Sequence, residues 1–385
     1  MRRFSQHTTA RAGGVAGGWI VAHTEFEALQ VLSRHPLPSP EARAAGEDPL
    51  LVLGGGSNLL VADAGFPGTV LQLAFEGITS EPVTGADRDD VVISVAAGHE
   101  WDEVVAWTVQ RQYAGLEALS GIPGATGATP VQNVGAYGAE VSQTLIDVRA
   151  WDRLHGEVVT LSNAQLEFGY RDSLLKRTTL HGSPRYVVLS VRFRLEHRGE
   201  RTPSSPVHYA ELARSLGLSL SAAEDERRAP LADVRSKVLT LRAGKGMVLD
   251  AEDHDTWSTG SFFTNPIVDE DVAARLPDSA PRFAAADGRD GQSRVKLSAA
   301  WLIDHSGCGR GFGLPEGPES GRGEHGRGLA EGRAALSTKH TLAVTNRGEA
   351  ATEDLLCIAR AVRNHVRDRF GIEIHPEPVL IGCQL

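Results

Sequence analysis

Three polar side chains have neighbours that would let them do chemistry. Ser261 follows a glycine and precedes two large aromatics in Gly260-Ser261-Phe262-Phe263-Thr264-Asn265-Pro266. A hydroxyl against a water-poor aromatic wall can donate a proton where the site stabilises the developing charge. A turn with a buried Phe pair has the same pattern, and G-x-S-x-G is absent, so hydrolase chemistry has no support. Glu377 stands between prolines in His375-Pro376-Glu377-Pro378. That restraint suits a positioned acid, and an edge strand marked by proline would look alike. Arg171, in Tyr170-Arg171-Asp172-Ser173, can hold a carboxylate by a two-pronged hydrogen bond or pair on the surface with Asp172.

Two small-residue segments could face a ligand. Gly54-Gly55-Gly56-Ser57-Asn58 lies between two apolar runs. Consecutive glycines let the backbone approach a ligand, and exposed N–H groups can cradle a phosphate; a tight hairpin-like turn is the plain alternative. Residues 120–138 are too poor in large side chains to form a core and rich in backbone donors that need a polar partner. A pyrophosphate or flavin ring would be such a partner, and an ordered surface loop is the other reading. Gly321–Gly326 matches G-x-G-x-x-G, but no strand leads into it and no helix follows closely, so it fails as a dinucleotide motif. Gly244-Lys245-Gly246 lacks the P-loop frame. No histidine has metal-ligand spacing, so no metal is expected.

The elements that must position these groups are mixed α and β. Residues 50–73 read as strand, glycine turn, strand. Val91–Ala97 is an apolar run, and Trp101–Gln112 has helical spacing, starting after Gly98 with acidic Glu100, Asp102 and Glu103 in its first turn. Tyr186–Leu195 alternates as a half-buried strand. Residues 197–230 read as a loop or boundary, Leu231–Leu241 and Lys296–His305 as helices, and Leu342–Thr345 as a short strand. Thr352–Phe370 carries an apolar stripe and ends at Gly371; a last strand is expected near Ile372–Ile381. Residues 309–333 look like a flexible, low-complexity insertion.

Composition sets limits. The net charge of −10 argues against binding a nucleic-acid backbone through bulk charge, while local groups can still bind an anionic small molecule. Cys308, Cys357 and Cys383 form no C-x-x-C and suggest no disulfide framework. The first residues lack an apolar signal region. The longest charge-free run, Ala118–Ala139, is too rich in glycine, proline and hydroxyls to cross a membrane. A reducing cytoplasm is expected.

Taken in order, LGGGSNLLVADAGFPGTV (53–70), GLEALSGIPGATGATPVQNVGAYGAEV (115–141), FGYRDSLLK (168–176), GSFFTNPIV (260–268), KLSAAWLID (296–304), STKHTLAVTN (337–346) and PEPVLIG (376–382) resemble the UDP-N-acetylenolpyruvoylglucosamine reductase family. HTTARAGG (7–14) is similar to its opening. The resemblance implies an α+β fold: an FAD-binding module of the vanillyl-alcohol oxidase/p-cresol methylhydroxylase type with a smaller α+β substrate-binding domain. Its expected parts are residues 1–85 and 86–230 for FAD, 231–370 for substrate, and 371–385 as a C-terminal strand carrying Glu377. It implies non-covalent FAD, NADPH as hydride donor, and reduction of UDP-N-acetylglucosamine enolpyruvate to UDP-N-acetylmuramate. The alternative is another flavin-dependent oxidoreductase of the same superfamily.

Residue by residue, the resemblance makes Arg171 the partner of the substrate carboxylate, Ser261 the general acid and Glu377 the carboxylate assisting the enolate or its protonation. It assigns Gly54, Gly55, Gly56, Ser57, Asn58, Leu59, Gly121, Pro123, Gly124, Gly127, Thr129, Asn133, Gly135, Ala136, Tyr137 and Gly138 to the flavin. Tyr170, Tyr209, Lys245 and Asn265 go to the UDP-sugar. A monomer with a small-molecule substrate and neither nucleic-acid nor membrane partner is expected. Two departures stand out: His375, where relatives are often acidic, and the length of 309–333.

Overall fold

The computed structural model describes residues 1–83, 90–285, 293–318 and 328–385. The chain divides into two compact units, each assembled from separated stretches. The first comprises 16–56 and 67–248; the second comprises 2–15, 57–66 and 249–385. These bounds differ from the four consecutive parts expected. The helix Leu231–Ala243 belongs to the first unit because Val234 and Val238 pack with Val207 and Leu212, and Leu231 with Val109 and Ala114.

Among the described residues the first unit holds two larger sheets and the two-stranded ribbon Gly135–Ala136 with Ala139–Glu140. A three-stranded sheet has the order Ala16–Ala22, Phe66–Leu73, Leu50–Leu53, and its last two strands run parallel. A five-stranded antiparallel sheet has the order Glu157–Ser162, Leu145–Asp152, Tyr186–Leu195, Val91–Ala96, Ile78–Pro82. Valines and other β-formers on alternate positions bury one face. The helix Trp101–Gln110 covers that face: Glu100 caps it by accepting from Glu103 N–H, and fully buried Trp101 lies 5.8 Å from the Phe193 ring.

The second unit centres on the helix Thr352–Phe370. Its Leu355, Ile358, Val362 and Val366 are buried, and Gly371 ends it at φ 68°. Around it lie the parallel pair Leu59–Val61 with Val379–Ile381, and the antiparallel pair Ala334–Leu336 with Val344–Asn346. A three-stranded antiparallel sheet has the order Ile267–Asp269, Arg294–Leu297, Arg282–Ala284.

Several expectations need correction. The run 50–61 is not a hairpin, because Leu50–Leu53 and Leu59–Val61 pair with other strands in separate sheets. Lys296 and Leu297 are strand, and the helix begins only at Ala299, after Ser298 accepts from Trp301 N–H. The last strand shrinks to Val379–Ile381, since Pro376 and Pro378 have no N–H to give a ladder. Residues 309–318 and 328–333 are not a loose insertion. Phe312 is fully buried, with its ring 5.6 Å from that of His365. A Cβ on Gly313 would come within 2.6 Å of Ile358, and one on Gly328 within 1.9 Å of the Gly313 carbonyl, so these glycines serve close packing. The G-x-G-x-x-G sequence at 321–326 lies outside the described residues. Among the described residues no helix is long and apolar enough to cross a membrane, and no group of side chains could hold a metal.

Candidate active site

In the first unit the two glycine segments meet backbone to backbone. A Cβ on Gly55 would lie 2.6 Å from Cα of Gly124, and one on Gly54 would lie 3.2 Å from the Ala125 methyl. Gly56 adopts φ 64°. Two turns without side chains therefore lie together, a main-chain surface that fits a pyrophosphate-bearing cofactor.

The 115–138 segment differs from a loop whose donors await a ligand. Gly121 N–H donates to Asp102 Oδ1 at 2.6 Å, and Gly121 C=O accepts from half-buried Arg242 Nε at 3.2 Å. Asp102 also takes both arms of Arg235, whose hydrogen bonds hold its carboxyl below the ordinary range against the opposing effect of burial. Thr126 N–H goes to His99 C=O, Gly127 N–H to Ala97 C=O, and Val134 N–H to Thr129 C=O. Much of the segment's donor capacity thus folds it onto the sheet. Glu117, a residue the motif reading passed over, is fully buried and accepts from Gly115 N–H and Ser205 N–H, each at 2.6 Å. Burial raises its pKa while these bonds oppose the rise. Its sequence signal is an acid bordering a 22-residue charge-free run.

Arg171 sits at φ 52° in a turn closed by reciprocal Gly169–Asp172 backbone bonds. Its Nη2 donates to Gly135 C=O at 2.9 Å and its Nη1 to Asn133 C=O at 3.5 Å; Lys176 Nζ donates to the Arg171 C=O at 2.9 Å. Asp172 pairs with Arg177. Buried Asn133, at φ 46°, donates to Glu140 Oε2 at 2.8 Å and Gly169 C=O at 3.1 Å and accepts from Ser142 N–H. Its side chain is thereby a brace for the arginine turn. The guanidinium carbon is 5.7 Å from the centre of the Tyr170 ring. Tyr137 and Tyr209 meet edge to face with centroids 5.3 Å apart, and Lys245 Nζ lies 5.8 Å from the Tyr137 ring centre.

In the second unit, main-chain pairing brings Ser261, Glu377 and Asn58 together. Phe262 N–H donates to Leu342 C=O, Glu377 N–H to Phe262 C=O at 2.8 Å, and Thr264 N–H to His375 C=O at 3.1 Å. Asn58 Nδ2 reaches Glu377 C=O at 3.3 Å, and Val379 N–H returns to Asn58 C=O at 3.0 Å. Phe262 and Phe263 are buried, with rings 5.0 Å apart, while Ser261 and Glu377 are half-buried. Gly260, at φ 76°, supplies the left-handed bend before Ser261. Asn265 has a structural duty as well: its Oδ1 accepts from Ala299 N–H at the start of the helix Ala299–His305. His375 is exposed.

Residues 41–162 match the family model described as FAD binding domain. Residues 324–381 match the one described as UDP-N-acetylenolpyruvoylglucosamine reductase, C-terminal domain. The chain is similar to the UDP-N-acetylenolpyruvoylglucosamine reductase of Salinispora arenicola, at 46% identity over 99% of this chain and 95% of that protein. It is similar to the protein of the same name from Saccharopolyspora erythraea, at 50% identity over 98% of this chain and 94% of that one. The crystal structure of UDP-N-acetylenolpyruvylglucosamine reductase from Thermus caldophilus shares the fold, with a TM-score of 0.59 at 21% identity, covering 99% of this chain and 97% of that chain. The fold is α+β and contains an FAD-binding domain.

Proposed function

The chain belongs to the UDP-N-acetylenolpyruvoylglucosamine reductase family, and we propose on that premise that it reduces UDP-N-acetylglucosamine enolpyruvate to UDP-N-acetylmuramate. The observation that carries this reading is the extent of the similarity, which runs through nearly the whole of both chains. FAD, held without a covalent bond on the glycine segments, supplies when bound the hydride that NADPH delivers.

The chain's own residues align and stabilise. Arg171 takes the substrate carboxylate, where negative charge grows as the alkene is reduced, so the cation favours the transition state over the ground state. Ser261 donates its hydroxyl proton to the carbon next to that carboxylate, and Glu377 assists the enolate or its protonation. The flavin is held by residues 54–59 and 121–138. Tyr170, Tyr209, Lys245 and Asn265 bind the UDP-sugar, the lysine on the diphosphate. The same reading makes the protein a monomeric cytoplasmic enzyme of peptidoglycan precursor synthesis, and through the wall a contributor to cell shape and division.

The test is NADPH oxidation by FAD-loaded protein with and without UDP-N-acetylglucosamine enolpyruvate. Rapid oxidation that requires the enolpyruvyl ether, with UDP-N-acetylmuramate formed in equal amount, is expected. Oxidation that is indifferent to this substrate would overturn the reading.

A further inference from the structure

Lys245 already carries an anion. Its Nζ lies 2.5 Å from Oε2 of Glu211, a residue in the first turn of the helix Ala210–Ser215, whose N-cap is Tyr209. With the Tyr137 and Tyr209 rings beside it, this pair forms one cluster inside the first unit. The backbone commits the chain to the arrangement. Tyr137 and Gly138 take φ 51° and 83°, and a Cβ on Gly138 would stand 3.3 Å from Cβ of His208, so the two tyrosine segments pack closely.

The other charged groups nearby have their own partners. Arg242 donates to the Gly121 and Met247 carbonyls, and Asp102 takes Arg235. Burial alone would lower the Lys245 pKa, but the Glu211 hydrogen bond and the two tyrosines outweigh it and raise the value. The side chains remain 30% and 39% exposed, so the pair is screened and exchangeable. A diphosphate brings more charge and more acceptor oxygens than one carboxylate.

We propose that Glu211 is a displaceable internal counter-ion, which occupies Lys245 beside Tyr137 and Tyr209 until the diphosphate of a nucleoside diphosphate takes its place. The inference rests on the reading of Lys245 as a diphosphate contact. Glu211 then lowers affinity for the ligand it gives way to, and its departure links ligand entry to the segment that carries Tyr209.

The experiment is calorimetric titration of UDP, with uridine as a phosphate-free control, into full-length FAD-loaded protein. Removing one half-exposed like charge beside a phosphate predicts that Glu211→Gln binds UDP about three- to tenfold more tightly at low salt, an advantage that shrinks at high salt. Uridine affinity stays as in the parent, and Glu211→Asp, which keeps the charge, binds UDP as the parent does. UDP binding by Glu211→Gln that is equal or weaker, or tightening that extends to uridine, overturns the proposal. Lys245→Ala separates the two levels. If it binds UDP as the parent does, the diphosphate reading of Lys245 fails and the inference with it. If it weakens UDP binding while Glu211→Gln brings no gain, only the counter-ion inference fails.

Discussion

Arg171 is positioned by hydrogen bonds that its own guanidinium makes, whereas Ser261 and Glu377 sit on backbone that pairs whatever their side chains are. In the first unit the arginine reaches the Gly135 and Asn133 carbonyls from a left-handed turn, and Asn133 braces that turn through Glu140 and Gly169. In the second unit the Phe262–Glu377 and Thr264–His375 bonds run N–H to C=O. A substitution in the second unit should therefore remove chemistry and spare structure. In the first it should disturb both, because the atoms that hold the geometry are the ones proposed to meet the substrate carboxylate.

The largest effect tests the second unit. Ser261→Ala is expected to slow reoxidation of reduced flavin by substrate about 10²–10⁴-fold, the usual worth of a positioned general acid. Reduction of the flavin by NADPH should stay near the parent rate, and unfolding stability within about 0.5 kcal/mol. Rapid mixing resolves the two half-reactions. A parallel loss in both would mean that Ser261 has a structural duty and would erase the contrast. Next comes Arg171→Lys, expected to lower kcat/KM about 10²–10³-fold, since a point charge replaces a fork that holds the Gly135 carbonyl and is proposed to take the substrate carboxylate as well. Unlike the serine variant it should also lose measurable stability in urea. Full stability with the same kinetic loss would show that the anchoring bonds hold nothing.

What could be read in advance follows the same division. The strand Tyr186–Leu195 and the helix Thr352–Phe370 appear at the bounds expected, because period-two alternation and a stripe ending at glycine are local signals. Arg171, Ser261 and Glu377 are candidates by their local context, but only the family resemblance gives them roles, since a surface pair, a turn and a proline-marked edge strand fit the same patterns. Contacts between distant segments were hidden. Nothing in Gly54–Gly56 reveals that its missing side chains make room for Gly124 and Ala125, and the glycines around Phe312 looked like low complexity when they are packing positions. Glu117 and Glu211 escaped because a single acid has no periodicity; burial and a partner far along the chain define their roles.

A smaller effect probes the brace itself. Asn133→Ala should destabilise the protein by about 2 kcal/mol, because it strands the Ser142 N–H, takes one donor from the Glu140 carboxylate and leaves the Gly169 carbonyl with the Asp172 N–H alone. Urea unfolding measures the loss. If the brace matters to Arg171, KM for the enolpyruvyl substrate should rise in the same variant. A stability loss with unchanged KM would separate the arginine turn from its support.

The smallest effect concerns how the first unit responds to acid, since side-chain ion pairs titrate and main-chain ladders do not. Asp152 ends the strand Leu145–Asp152 and accepts from Arg185 Nε and Nη2 at 3.1 and 2.8 Å, from His155 Nδ1 at 2.9 Å and from Leu154 N–H. Burial pushes its pKa up, but the Arg185 bonds, followed by the His155 and Leu154 bonds, prevail and hold it at about 2 against the ordinary 3.8. A carboxyl whose folded pKa lies below its unfolded value stabilises the fold fully above the unfolded value. That contribution disappears as the pH falls from 3.8 towards about 2. Solvent reaches Arg185 and His155, so the contribution is at most about 1–2 kcal/mol at neutral pH. Asp152→Asn should be less stable than the parent by that amount near neutrality, and the difference should close as the pH approaches 2, read from urea unfolding across the range. A gap that persists unchanged into acid would mean that Asp152 works through hydrogen-bond geometry alone, and the first unit would then owe its acid response to other carboxylates such as Asp48 and Asp102.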